Sequence, residues 1–325
     1  MHKLQNALFY LAAGPARMLA ADTGLLSLVM TDAKVIAGAQ VTRVKNSPFG
    51  NFVLSHMQLD DPDFQKFMTA SGFDPRRDLT ELIIASNAVT NDPSRWLILA
   101  KGTFDPARIR GVAQTSGAVI TNHKGVAIIG IVGNQGTGNQ GAQKATSTGA
   151  IAIFDPSTAV MGPLDAVQAA IDRRIARAGV STGLSGKVKQ ISAANDFWFT
   201  TLVPLSEFAS SMPDANLAGA LKGNMLAAVL QATGGVKFGS DILLTTEIVT
   251  RSPQDASALV DVVKFIAGLI QTNRRSDKTA ERVSTVLDGI KCSAQGNVMS
   301  MSLSIPESTL EQMLNAIRQD HRPAK

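Results

Sequence analysis

Few residues of this chain have the type and spacing that chemistry requires. Gly136-Thr137-Gly138-Asn139-Gln140-Gly141 spells G-x-G-x-x-G, the turn that opens a helix whose amides face a dinucleotide pyrophosphate. Only Ala142 to Thr148 separate these glycines from the next apolar run, too short a stretch for a crossover helix. Asp155 stands near the place of a ribose-binding acid, but Pro156 follows it and marks a turn. Ser181-Thr182-Gly183-Leu184-Ser185-Gly186-Lys187-Val188 resembles a phosphate loop and departs from it twice. Ser181 replaces the first glycine, and Val188 stands where a hydroxyl should hold the metal.

The histidines, His2, His56, His123 and His321, never fall at zinc-ligand spacing. The acidic cluster Asp60-Asp61-Pro62-Asp63 fails as a calcium loop, because Lys66 and Gly72 occupy the sixth and twelfth positions counted from Asp61. No Ser stands three residues before a Lys. Cys292 is the only cysteine, in an apolar stretch that reads as a strand, and is expected to be a buried small hydrophobe. The basic pairs Arg76-Arg77, Arg173-Arg174 and Arg274-Arg275 each have an acid close by, namely Asp78, Asp172 and Asp277. That spacing suits solvated helix faces better than a nucleic-acid surface. Residue by residue, no catalytic, cofactor-binding or metal site is assigned.

The elements that would have to position such groups are more legible. The chain has 325 residues, 45% of them hydrophobic and 18% charged, with a net charge of +5. That is enough apolar material for a large core and excludes overall disorder. Aromatic residues make up 5%, which disfavours a base- or sugar-stacking groove. No segment reaches the ~18 consecutive apolar residues of a membrane span. Capping residues precede proline at Ser47-Pro48, Asp61-Pro62, Asp105-Pro106 and Ser252-Pro253, a signature of helix starts. Strands are expected at 35–44, 81–86, 96–102, 126–132, 150–154, 159–162, 197–203, 236–250, 290–294 and 298–305. Thr121-Asn122-His123-Lys124-Gly125 reads as a turn. Residues 133–149 form a Gly/Gln/Asn-rich loop. Residues 215–232, rich in Ala, Leu and Met, read as a helix, as do 255–271. Short spacings between strands imply an α+β protein with two related lobes, each a mixed or mainly antiparallel sheet with helices packed on one face. Residues 25–178 and 179–325 are the expected lobes.

At the amino terminus, Lys3, the apolar run Ala7 to Ala13, Gly14-Pro15 and the small pair Ala20-Ala21 before Asp22 follow the order of a secretory signal peptide. The alternative is an amphipathic first helix within residues 1–24. Cleavage there would remove two positive charges, Lys3 and Arg17, and the only tyrosine, Tyr10.

Several stretches carry a resemblance. They are Leu25-Leu26-Ser27-Leu28-Val29-Met30-Thr31-Asp32-Ala33-Lys34-Val35-Ile36-Ala37-Gly38, Lys45-Asn46-Ser47-Pro48-Phe49-Gly50, Gly72-Phe73-Asp74-Pro75-Arg76-Arg77-Asp78-Leu79 and Ala159-Val160-Met161-Gly162. Together, over about residues 25–315, the chain resembles a family of uncharacterised, usually exported bacterial proteins with repeated α+β units. The resemblance implies export to the periplasm or beyond and an internal duplication; it brings no activity and no site residues. The expected function is therefore a non-enzymatic binding or assembly protein of the bacterial envelope, with a protein partner or a second copy of itself and no nucleic acid. Two alternatives stand beside it. One is a hydrolase-like enzyme whose site is assembled in three dimensions from loops such as Asp74–Asp78 or Thr121–Lys124. The other is a cytoplasmic homodimeric module using 215–232.

Overall fold

The structure, a computed structural model, describes residues 20–55, 62–87, 96–131, 149–180, 182–201, 203–204, 227–272, 286–287 and 289–312. The first part of the chain runs α1 (Thr23–Leu26), β1 (Val35–Ala39), α2 (Val41–Lys45), α3 (Pro48–Ser55), α4 (Pro62–Ser71), α5 (Pro75–Asp78), β2 (Leu79–Ser86) and β3 (Trp96–Gly102). It continues through α6 (Pro106–Thr115), β4 (Ile120–His123), β5 (Val126–Ile131), β6 (Gly149–Asp155), β7 (Thr158–Gly162) and α7 (Leu164–Ile175). After α8 (Thr182–Ala194) come β8 (Phe197–Thr201), β9 (Val229–Lys237), β10 (Asp241–Thr250), α9 (Pro253–Thr272), β11 (Lys291–Gln295) and β12 (Val298–Pro306). Capping chemistry starts the helices where the sequence places it. Ser47 Oγ accepts from Gly50 N–H at 2.9 Å, Asp105 Oδ1 from Arg108 N–H at 2.9 Å, and Ser252 Oγ from Asp255 N–H at 3.1 Å.

The class is α+β, and the strands form one antiparallel sheet ordered β11-β12-β10-β9-β8-β1-β2-β3-β7-β6-β5-β4. The strands before residue 163 and those after residue 196 do not remain apart. β1 and β8 pair edge to edge, with Gly38 opposite Trp198, and this seam joins both sets into a single sheet. Each set is wound alike: three strands in a meander, a helix (α6 or α9), and then a returning meander whose last strand, β7 or β12, lies beside the third strand. The set that begins with β1 has one hairpin more, β4 and β5.

Residues alternate between the faces of a sheet, and helices cover both faces rather than one. On the first face, Leu97, Leu99, Ala150, Ala152 and Val160 pack with Val167, Ala170 and Ile171 of α7 and with Leu25 and Leu28 of the amino-terminal segment. The opposite face carries α6 through Ile109, against Ala159, Ala100, Ile129 and Ile153. That same second face carries α9, whose Ala256, Leu259 and Val260 meet Val229, Ile248, Met299 and Met301.

Four local expectations need correction. The strand expected at 35–44 ends at Ala39, where Gln40 N–H bonds the Asp196 carbonyl at 2.7 Å and the chain turns into α2. Residues 229–232 are strand rather than helix, because Val229 and Ala232 lie buried in β9 under the α9 side; residues 215–226 lie outside the described residues. His123 closes a strand, and the turn is only Lys124-Gly125, both at positive φ (49° and 88°). Two such residues suit the tight hairpin between His123 and Val126. The phosphate-loop-like stretch is helical from Thr182, within the first half of α8, so Gly183 and Gly186 sit in a helix rather than a loop; Ser181 lies outside the described residues.

Candidate functional site

The seam is built by glycines that let large side chains lie across neighbouring strands. A Cβ on Gly38 would come within 2.4 Å of the Trp198 ring, and one on Gly234 within 2.4 Å of the Phe199 ring. On the first face this arrangement seals the core: Ile36, Ile83 and Trp198 are almost fully buried. On the second face, between the regions held by α6 and α9, the same strands carry Ala37, Leu82, Ile84, Phe197, Phe199 and Leu244 around a cavity of about 410 Å³. Ile84 is 48% exposed, Phe197 40% and Phe199 38%. Thr246, on the Phe199 face, brings a hydroxyl to its lining, and among the described residues no charged side chain lines it. An aromatic cluster stands beside it, with Phe238 5.6 Å from both Phe197 and Phe49. Chemically the described lining offers apolar surface with a hydroxyl at its edge.

The residues that could do chemistry lie elsewhere and satisfy one another. Asp74 and Arg76 form a pair at 2.9 Å, and Arg77 and Asp78 one at 2.7 Å, so the Asp74–Asp78 loop closes on itself. The Arg76 guanidinium holds the Asp74 carboxyl below its usual range. His123 Nε2 and Lys124 Nζ both approach Asp172 Oδ1, at 2.8 and 2.9 Å, in a cluster at the surface. Arg173 donates to the Leu28 carbonyl, and Arg174 pairs with Asp155 and lies over the Phe154 ring at 4.9 Å. Cys292 sits in β11 against Met299 and Val229 of the α9 core, and burial raises its thiol pKa, which suppresses the thiolate. Among the described residues no three His, Cys, Asp or Glu gather as a metal site would require. Asp60, Asp61, His2, His56, His321, Arg274-Arg275 and the G-x-G-x-x-G stretch lie outside the described residues.

Two features, one in the trough and one away from it, escaped sequence reasoning. Phe197 and Phe199 flank Trp198 in one short run, and only the long-range pairing of β8 with β1 decides which face each takes. Glu81 opens the strand expected at 81–86, where nothing marks it for burial, yet it is 7% exposed and accepts from the Asp22 amide at 3.0 and 3.3 Å. Burial pushes its pKa up to about 7, against the Asp22 N–H that stabilises the anion.

No family model matches the chain, and no curated protein matches it either. Among solved structures it is similar to that of TP0453 in crystal form I, with 10% sequence identity and a TM-score of 0.48 over 92% of this chain and 99% of that one. Among the described residues no helix is long and apolar enough to cross a membrane.

Proposed function

We propose that this is a non-enzymatic binding protein of the bacterial envelope, exported as its family resemblance implies, which takes an apolar small molecule in the trough at the seam. The observation that carries this reading is the trough itself. A volume of about 410 Å³ falls within the ~300–1,000 Å³ of small-molecule sites. Leaving Ile84, Phe197 and Phe199 half in water forgoes roughly 1 kcal/mol each, and apolar patches kept open at that cost serve contacts. We also propose that the two sets of strands are duplicates related by a two-fold axis normal to the sheet at the seam. Such an axis reverses strand direction and preserves faces, which agrees with antiparallel β1 and β8 and with α6 and α9 on one face. The duplication then explains why the trough is central: it lies where the opening strands of both units meet.

Trp198 borders the trough, so the test is energy transfer from tryptophan to a conjugated fatty acid. Saturable binding at one site is expected, and Phe199→Asp should weaken it about tenfold or more, the equivalent of ~1.4 kcal/mol. Absence of saturable binding, or a Phe199→Asp variant that binds as well as the parent, would overturn the reading.

A further inference from the structure

The buried Glu81 carboxyl plays no part in the trough, and its partner is unusual. Both of its oxygens converge on a single main-chain nitrogen, that of Asp22, at 3.0 and 3.3 Å. The Asp22 side chain is engaged elsewhere: Oδ1 accepts from Leu25 N–H at 2.8 Å, and Oδ2 faces Lys101 Nζ at 3.4 Å. A peptide N–H has one hydrogen and no net charge; even with the Gln40 side chain and the Lys101 charge also favouring the anion, it is a weak match for two buried carboxylate oxygens. An α-ammonium at that same atom would offer three hydrogens and a full positive charge. The two residues that precede it, Ala20 and Ala21, are the small pair of the leader-like sequence.

We infer that Glu81 is the receptor for a new amino terminus at Asp22, created when the Ala21–Asp22 peptide bond is cleaved. This rests on the export reading. The reaction is hydrolysis by an endoprotease of the leader-peptidase class. Water gives its hydroxyl to the Ala21 carbonyl carbon and a hydrogen to the Asp22 nitrogen, which takes a further proton from solvent. Ala21 is 4% exposed in the folded protein, so cleavage precedes folding, and the ammonium then docks as the segment before β1 packs onto the sheet. The neighbouring junction fits poorly. An ammonium on Ala21 would meet Ser192 Oγ at 2.9 Å, a buried neutral hydroxyl that offers no charge to answer it.

The full chain is expressed with export in a bacterial host, and the envelope fraction is analysed by intact mass and by acylation of the α-amine at pH 7. The mature chain is expected to begin at Asp22. Its amine should acylate about tenfold more slowly when folded than in urea, since each unit rise in amine pKa removes that factor of free base. Glu81→Gln should restore the fast rate. Should that variant fail to fold, the comparison of folded with unfolded parent protein decides on its own. A mature chain that begins elsewhere, or a folded Asp22 amine that acylates at the urea rate, overturns the inference and leaves export standing. An intact Met1 or His2 start in the envelope fraction overturns the export reading as well.

Discussion

Ile83 and Ile84 are neighbours on one strand, equal in size and hydropathy, and they meet opposite fates. Ile83 is 0% exposed beneath the amino-terminal segment and α7, whereas Ile84 is 48% exposed in the trough. Trp198 and Phe199 repeat the contrast across the seam, at 2% and 38%. One face of the central strands is sealed to hold the fold together. The other stays open although it is equally apolar, and on the reading proposed above that difference separates stability from recognition.

The contrast can be broken most severely at Ile83. Ile83→Ala should destabilise by about 4 kcal/mol through loss of buried area and the cavity left behind. Ile84→Ala should change stability by less than about 1 kcal/mol while weakening fatty-acid binding, both read from denaturant curves and titrations. Next comes Glu81 in the uncleaved chain. Its folded pKa of about 7 lies above the ordinary 4.5, so the folded state binds more protons between those values. Stability should therefore fall as pH rises from about 4.5 to 7, by on the order of 3 kcal/mol, and then level off. Glu81→Gln should flatten that window. Gly38→Ala drives a methyl into the Trp198 ring and should cost about 2 kcal/mol, with the shift visible in Trp fluorescence. The smallest effect is expected at His123→Ala, where a surface pair is lost and the denaturation midpoint should stay within error.

The sequence makes the local chemistry legible and hides what depends on distance. Helices that begin at Ser47-Pro48, Asp105-Pro106 and Ser252-Pro253 could be read because a cap and a proline act within a few residues. Strands such as 96–102 and 298–306 could be read from apolar runs and alternation. β4 was hidden because Ile120–His123 is four residues long and mostly polar. The seam was hidden because nothing near Val35 announces a partner at Thr201. The trough follows from the seam, since face assignment in β8 depends on that pairing and a one-residue slip would exchange Trp198 with its phenylalanine neighbours. Glu81 lacked any local signal, because its burial is imposed by residues 20–33 folding over it.

The pairing of β1 with β8 also sets a clock. Ala39 must wait for Phe197, about 160 residues further along, and at ~5–20 residues per second synthesis of that stretch takes roughly ten to thirty seconds. Throughout that interval the nascent chain carries β1 with one edge unpaired and the trough half built. A chain that cannot close its own sheet until late in synthesis remains threadable for longer, and is open to chaperones for just as long.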